Sequence, residues 1–361
     1  MTIVKPEIHV LNPANREQVH RYSRDILSNV GIRVDYKPAR DLFAANGFKV
    51  DDRQRVLIPA EGVDWALTQA PSFVDIYHRN EKPAFRIGQG KDGQTRFGVG
   101  VTNLYYQHPA DDRVEPFSRE HMALAATLGD ALDQFDLLAT PGVIKDLPPD
   151  RADLIGTLEM VANTTKPLVL LVSNHHCFST MLDMLEHLNG DLDQNPFVIP
   201  YFNPITPLVL NATTAENMMK AAERGLPMIY NNYGMSGATS PITPGGTLAV
   251  LNAELLAGLV YSQIVKAGTP IIITTLQKFP FVTEKVGELP SQKYAVIVDE
   301  AHSSQSGEAA ADLKGVLSAG HIKEKAQQEA EELGLPDYEE EILRTVAKRG
   351  KQPNLSFYAF T

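Results

Sequence analysis

The feature that most constrains this chain is a repeated order of short apolar strand, polar loop and amphipathic helix that begins near residue 95. Strands this short and apolar, each followed by a helix, are buried on both faces and are predicted to pair in parallel. Successive right-handed βα units give either a doubly wound sheet or a (β/α)8 barrel. The predicted strands are Phe97–Val101, Phe135–Ala139, Leu168–Val172, Phe197–Tyr201, Met228–Asn231 and Thr269–Thr274. The helices predicted between them are Ser118–Asp133, Arg151–Thr164, Ser179–Leu188, Thr213–Arg224 and Gly246–Ala267.

The loops that follow these strands favour the barrel. Polar, glycine and proline residues collect after the strand ends, as in Thr140-Pro141-Gly142 and Asn203-Pro204. No strand is followed by the GxGxxG turn that a dinucleotide-binding doubly wound sheet needs. Barrel enzymes build their active sites from the loops after the carboxyl ends of their strands. The expected fold class is therefore α/β, of the (β/α)8 TIM-barrel type.

Three parts of the chain are expected. Residues 1–94 predict an N-terminal helical segment, and residues 95–270 hold about six βα units, so that the barrel is truncated. Residues 271–361 break the pattern and form a separate C-terminal part. The N-terminal helices are predicted to begin near Asn15, after Pro38 and near Glu61. The C-terminal part predicts strands at Tyr294–Asp299 and Leu355–Phe360 around an Ala- and Glu-rich helical stretch.

Composition excludes several classes of function. A net charge of −11 repels phosphate backbones and gives no support to general nucleic-acid binding. The single cysteine, Cys177, excludes an internal disulfide framework. The longest apolar stretch, Leu248 to Val265, is interrupted by polar residues, so no membrane span is expected. The N-terminal sequence has no secretory pattern, and we expect a cytoplasmic protein.

The segment Tyr230–Val260 is the strongest candidate binding loop. It reads as a strand end, a polar glycine-rich loop and a helix whose first turn contains glycines. Glycines let the backbone approach a ligand closely, and the aromatic face of Tyr233 attracts a protonated or quaternary amine by cation–π attraction. The alternative interpretation is a stiff turn that packs on the rim of the barrel.

Two stretches of sequence resemble the trimethylamine:corrinoid methyltransferase family. They are MSGATSPITPGGTLAVLNAELLAGLVYSQIVKAGTPI and the earlier run SRDILSNVGIRVDYKPARDLFAANGFKVDDRQRVLIPAEGVDWALTQAPSFVDIYHR. The resemblance covers residues 1 to about 271. It implies a (β/α)8 barrel that passes a methyl group from trimethylamine, or from a quaternary amine such as glycine betaine, to the cobalt of a separate corrinoid protein. No cofactor is then bound in this chain. On this resemblance the amine pocket is lined by Tyr233, Ser236, Gly237, Thr239 and Pro241.

A second polar cluster, Asn174-His175-His176-Cys177, follows the third predicted strand. Adjacent histidines on an extended chain point to opposite sides and cannot easily bind one metal. Cys177 with a nearby histidine is a candidate nucleophile. The preferred interpretation is a polar rim on which His175 contacts substrate. No metal site is expected, because neither HExxH nor CxxC spacing occurs.

The C-terminal part resembles a different family. Four apolar residues followed by Asp299-Glu300-Ala301-His302 resemble the magnesium-binding strand of superfamily 2 helicases. With IIITTLQKF and KRGKQPNLSFYAFT, residues 271–361 resemble the motor subunit of type I restriction enzymes. This resemblance implies a RecA-like fragment with a vestigial nucleotide and magnesium site at Asp299, Glu300 and His302. Because no P-loop is present, we expect no ATP hydrolysis.

Three hypotheses about function follow. The leading one is a methyltransferase-family barrel, incomplete in this chain, with a small amine and a corrinoid protein as partners. The second is a fragment of an ATP-dependent DNA translocase, for which nucleic-acid binding is not expected without the rest of the motor subunit. The third is a non-functional chimera of the two pieces.

Overall fold

The computed structural model describes residues 11–88, 96–172 and 175–274, and two strands at 294–299 and 355–360. Residues 16–275 form one compact unit, and residues 1–15 with 276–361 form a second. The helices are α1 Pro13–Asn29, α2 Lys37–Ala45, α3 Ala60–Gln69, α4 Arg119–Ala131, α5 Pro149–Asn163, α6 Phe178–Asn189, α7 Ala212–Glu223 and α8 Pro244–Val265. The strands before α4 are β1 Ile32–Val34, β2 Lys49–Val50, β3 Arg55–Leu57, β4 Phe73–Tyr77, β5 Pro83–Gly88, β6 Gly98–Val99, β7 Tyr105–Gln107 and β8 Val114–Pro116. Those after it are β9 Leu137–Ala139, β10 Leu168–Leu171, β11 Val198–Phe202, β12 Val209–Leu210, β13 Met228–Asn231, β14 Ile271–Thr274, β15 Tyr294–Asp299 and β16 Leu355–Phe360.

A six-stranded sheet organises the larger unit, in the order β6-β9-β10-β11-β13-β14, and every neighbouring pair is parallel. The strands lie in the same order along the chain, with a helix between each pair. Right-handed connections that always advance in one direction place all of these helices on one face of the sheet. The predicted strands and helices of this region are confirmed. The observed fold class is mixed α/β.

The alternation of side chains along the strands gives the sheet two apolar faces. Leu138, Leu168 and Tyr230 point to the helices and belong to the main core. Val169 and Ile199 point to the other face, where they pack with Ile76 and Phe85 of the β4–β5 hairpin. The sheet is therefore buried on both faces, by helices on one side and partly by the hairpin on the other.

The N-terminal segment contains more than the predicted helices. α1, α2 and α3 lie close to their predicted starts, and Gly31 adopts a left-handed φ of 69° at the end of α1, as a helix-ending glycine should. The purely helical description is nevertheless wrong, because β1 to β5 also lie in this segment. β1 pairs in parallel with β12, a short strand between β11 and α7. The N-terminal segment is therefore hydrogen-bonded to the connection that follows β11.

α8 is long and apolar enough to cross a membrane, and it is the one such helix in the described part of the chain. Its most apolar window is 78% buried, because α2, α3 and α7 pack over it. This is the burial of a core helix, not of a membrane span.

The C-terminal strands β15 and β16 are confirmed, and they pair with each other in parallel. Ile271–Thr274, in contrast, pairs with β13 as the sixth strand of the central sheet. The helical stretch predicted between β15 and β16 lies outside the described residues. A single pair of parallel strands is compatible with many α/β folds, and the RecA-like interpretation remains a prediction.

Candidate functional site at the carboxyl edge of the sheet

The β4–β5 hairpin closes the amino end of the sheet. The backbone N–H of Tyr77 donates to Pro196 O at 3.0 Å, and that of Arg79 donates to Thr165 O at 2.8 Å. Pro196 lies two residues before β11 and Thr165 three residues before β10, so the hairpin lies at the start of these strands. The opposite, carboxyl edge carries the polar loops and is the candidate site.

Half-buried apolar side chains form the inner face near this edge. Leu171, Ile229 and Ile272 come from three different strands and pack on the inner core. Tyr201 of β11 lies beside Ile229 in the strand register and is also only partly buried. The surface they form is apolar, with one phenol group.

Asn231 is the polar residue that ends β13 on this face. It is completely buried, and its Nδ2 donates to the Tyr201 hydroxyl at 2.6 Å. Its Oδ1 is buried and has no hydrogen-bond partner among the described residues. Buried carbonyl oxygens are almost always paired, so this oxygen is an acceptor that a ligand or a water would satisfy.

Glu254 of α8 fixes the two loops on either side of Asn231. Its Oε1 accepts from the backbone N–H of Leu208 at 2.7 Å, and its Oε2 accepts from Thr206 Oγ1 at 2.9 Å and Asn232 Nδ2 at 2.6 Å. Thr206 and Leu208 lie in the loop after β11, and Asn232 directly follows β13. One buried carboxylate therefore joins the two loops that border the Tyr201–Asn231 pair.

Burial dominates the electrostatics of Glu254. It raises the pKa of this carboxyl above its ordinary value, and the hydrogen bonds from Leu208, Thr206 and Asn232 oppose the shift in part. Burial also raises the pKa of Tyr230, with the nearby Glu254 charge adding to it. Both groups lie on the helix side of the sheet.

The residues predicted from the glycine-rich loop form a compact turn at the start of α8. Ser236 Oγ and Ser240 Oγ both contact Thr247 Oγ1, at 3.0 and 3.1 Å. Thr239 Oγ1 accepts from the backbone N–H of Met235 at 2.9 Å. Gly237 has a left-handed φ of 82°, and Pro241 O accepts from Thr247 Oγ1 at 2.6 Å.

These contacts favour the alternative interpretation of most of the loop, namely a stiff turn that packs on the rim of the sheet. The hydroxyl of Ser236 contacts Thr247 in the first turn of α8, and that of Thr239 contacts the loop itself. Gly237 and Pro241 supply the shape of the loop. Tyr233 differs, because its side chain is 63% exposed beside the strand end. Of the five loop residues, Tyr233 is the one best placed to meet a ligand, and its role remains a prediction.

Burial disfavours Cys177, in the cluster after β10, as a nucleophile. Cys177 is buried, and burial raises the pKa of its thiol, with the Asp153 charge adding to the shift. A thiol with a raised pKa is a poor nucleophile at neutral pH. His175 begins a short turn, His175–Cys177, after the described end of β10, and its side chain lies outside the described part. Its contact with substrate stays a prediction.

A cluster that sequence reasoning missed lies after β6. His108, Glu115 and His121 have their ligand-type atoms within 4.8 Å of one another. Both histidines contact Glu115 Oε1 through Nε2, at 3.0 and 3.1 Å. The spacing H-x6-E-x5-H matches no standard metal motif, so no sequence pattern marks this cluster.

The hydrogen bonds around His121 disfavour a metal at this cluster. The backbone N–H of Ser118 donates to His121 Nδ1 at 3.1 Å, so the proton of the neutral ring is on Nε2. Nε2 then donates to Glu115 instead of offering a lone pair to a metal, and metal-binding histidines show the opposite pattern. The Arg113 guanidinium also lies 3.0 Å from His108 Nε2. The hydrogen bond with His108 and the Arg113 charge hold the pKa of Glu115 below its ordinary value.

The predicted vestigial nucleotide site falls almost wholly outside the described residues. Asp299 ends β15, where only the strand is described, and Glu300 and His302 lie beyond it. The roles of these three residues stay predictions.

Comparison with known proteins decides the family. Residues 2–279 match the family described as trimethylamine methyltransferase (MTTB). The chain belongs to this family. The match extends past the predicted end near residue 271, so β14 lies within the methyltransferase-family region.

Several curated relatives show the same similarity. The chain is 29% identical over 276 residues to trimethylamine methyltransferase MttB of Desulfitobacterium hafniense, which covers 74% of this chain and 55% of that protein. It is 30% identical over 274 residues to MttB1 of Methanosarcina acetivorans, with 73% and 55% covered. It is 26% identical over 270 residues to a glycine betaine methyltransferase of Desulfitobacterium hafniense, with 74% and 56% covered. The chain spans about half the length of these relatives.

Proposed function

We propose that this chain binds a methylated amine at the carboxyl edge of its central sheet and takes part in transfer of a methyl group to a corrinoid protein. The observation that carries the proposal is the family match over residues 2–279, whose relatives are named for trimethylamine and glycine betaine. The apolar surface of Leu171, Ile229 and Ile272 supports it, since methyl groups need apolar neighbours.

We also propose that the sheet is six-eighths of a (β/α)8 barrel. Its strands follow one another in chain order without a reversal, whereas a doubly wound sheet reverses at a switch point. All connecting helices then lie outside, and the inner face and carboxyl edge hold the site, as in a barrel. The greater length of the relatives leaves room for further units beyond β14.

The chemistry explains why a positively charged nitrogen is required. When a methyl group leaves trimethylammonium, the C–N bond breaks, its electron pair stays on nitrogen and neutral dimethylamine is released. A corrinoid held by the partner would supply a reduced cobalt able to accept the methyl group. The residues of this chain bind the amine, orient its methyl group toward the open edge and exclude water.

Exposed apolar side chains at this edge support docking of a partner. Ile205 is 54% exposed, Met235 62% and Ile242 79%, and all three lie in loops that follow β11 or β13. Clusters of exposed apolar groups are typical of interaction surfaces. A corrinoid protein that approached here would bring its cobalt to the open edge. This partner and a cytoplasmic location remain proposals.

The test is a methyl-transfer assay with the full chain, [¹³C]trimethylamine and free cobalamin reduced to cob(I)alamin under anaerobic conditions. Carbon NMR should detect methylcobalamin and dimethylamine in equal amounts, above a reaction without protein. A folded chain that gave neither product would contradict the proposed transfer. ATP turnover dependent on DNA would instead favour the translocase hypothesis.

A further inference from the structure

We propose that Asn231, held by Tyr201, recognises the N–H group of a protonated tertiary methylamine, so that this chain prefers trimethylammonium to a quaternary ammonium ion. The inference rests on the proposed function and deepens it. The relatives include enzymes named for both kinds of amine, and their names alone do not choose between them.

The first argument is the unpaired acceptor. Asn231 Oδ1 is buried, and no donor contacts it in the described part of the chain. Asn231 is on the inner face of the sheet, at the carboxyl end of β13, where a barrel enzyme holds its substrate. An acceptor in this position calls for a ligand that donates.

The second argument is that the amide is held in place. Nδ2 is already engaged by the Tyr201 hydroxyl at 2.6 Å, and the backbone is fixed by pairing with β14. The next residue, Asn232, is anchored by Glu254 Oε2 at 2.6 Å and by Leu251 O at 2.8 Å. A side chain held this firmly presents its oxygen to a ligand at little entropic cost.

The third argument is the match of the surroundings to a methylamine. Leu171, Ile229 and Ile272 offer half-buried apolar contacts, and the ring of Tyr201 lies beside them. In a bound trimethylammonium ion, the three methyl groups would contact these apolar side chains and the N–H would donate to Asn231 Oδ1. A quaternary ion would place a fourth carbon against Oδ1 and leave the oxygen unpaired.

The selectivity follows from the strength of a charge-assisted hydrogen bond. Such a bond contributes more than one between neutral groups, and leaving the buried oxygen unpaired is unfavourable. Trimethylammonium should therefore bind about tenfold to a hundredfold more tightly than tetramethylammonium. The two ions carry the same charge, so cation–π attraction does not distinguish them.

The experiment is calorimetric titration of the full chain with trimethylammonium chloride and, separately, tetramethylammonium chloride at neutral pH. The wild type should show the stated preference, and Asn231→Leu should reduce the ratio of the two affinities to about one. Tyr201→Phe removes the group that holds the amide and should reduce the ratio in part. Asn29→Leu makes the same chemical change at an exposed position at the end of α1 and should leave the ratio unchanged.

Equal affinity of the wild type for the two ions, or binding of neither, would overturn the inference. So would a folded Asn231→Leu variant that kept the preference. If that variant does not fold, the wild-type ratio and Tyr201→Phe still decide. Selective binding without methyl transfer would leave this inference standing and contradict the proposed function, so the two failures are distinguishable.

Discussion

The two ends of the central sheet are covered very differently. Beside β14, α8 has 15 of its 22 residues buried under α2, α3 and α7. Beside β6, α4 keeps Leu124 50% exposed and Leu128 58% exposed. The N-terminal segment thus completes the fold at one end of the sheet, whereas the helix layer at the other end stops at α4.

The difference in burial between the two ends explains why the candidate site lies near α8. Glu254 and the loops that it joins lie at the covered α8 end, next to the Tyr201–Asn231 pair. A polar network needs low-dielectric, rigid surroundings to hold an amide in one orientation. The α4 end carries exposed leucines, and its polar cluster of His108, Glu115 and His121 is only partly buried. A further βα unit would pack against this end in a closed barrel.

The largest expected effect is a loss of core packing at the α8 end. Phe43 of α2 is fully buried and stacks on Tyr261 of α8 with ring centroids 5.6 Å apart. Phe43→Ala should lower the free energy of unfolding by about 3–5 kcal/mol. Leu128→Ala, at the exposed α4 end, should change it by less than about 0.5 kcal/mol. Urea denaturation of the full chain measures both changes. Equal losses of unfolding free energy would show that the two ends of the sheet are packed equally well.

Substitution of the buried carboxylate of Glu254 should lower the free energy of unfolding by a smaller amount. Glu254→Gln places an amide donor among three groups that themselves donate, which should cost about 1–3 kcal/mol. The matched control is Glu159→Gln on α5, which removes a partly exposed ion pair with Arg119 (Nε to Oε1, 2.6 Å) near the α4 end. That change should cost about 1 kcal/mol or less. A control as damaging as Glu254→Gln would show that the two ends are equally ordered.

Glu254 should also make the stability of the α8 end depend on pH. Because the pKa of Glu254 is raised in the folded state, its contribution is fully present below the ordinary value of 4.5 and is lost as pH rises through the folded-state pKa. The stability of the wild type relative to Glu254→Gln should therefore fall as pH increases above about 4.5. Urea midpoints at several pH values measure this, and a relative stability that rose with pH would contradict the assigned shift.

Substitutions of the exposed leucines of α4 should have the smallest effect on stability. They should instead change self-association of the chain. Leu124→Gln with Leu128→Gln should change the unfolding free energy by less than about 0.5 kcal/mol per site. The same pair of changes should reduce self-association, since exposed apolar patches promote it. Sedimentation velocity measures this. Leu67→Gln, at an exposed leucine of α3, is the control, and equal effects of the control would remove any special role for α4.

Much of the central sheet could be predicted from sequence, because its strands are short apolar runs separated by amphipathic helices. Met228–Asn231 was predicted with its exact ends. The β4–β5 hairpin was not predicted, because Phe73–Tyr77 is an isolated strand-like run whose partner has no tight two-residue turn signal. Its role in closing the inner face depends on packing between distant parts of the chain.

The site was predicted less well than the fold. The glycine-rich loop was singled out for its composition, yet the Ser236 hydroxyl contacts Thr247 of α8 and the Thr239 hydroxyl contacts the loop backbone. Tyr201 and Asn231 end two predicted strands, but the strand pattern alone does not tell which face each side chain takes. Glu254 is a charged residue within an apolar helix, and that conflict was the available signal for a buried network.

The most direct test of the account is hydrogen exchange measured by mass spectrometry on the full chain, with and without saturating trimethylammonium chloride. We predict slower exchange in peptides that contain residues 198–203 and 228–233, at the ends of β11 and β13, and unchanged exchange in peptides from α4. Such a result would place the amine at the covered end of the sheet, beside Tyr201 and Asn231. Unchanged exchange at both strand ends under conditions where the ion binds, or protection confined to α4, would contradict the account.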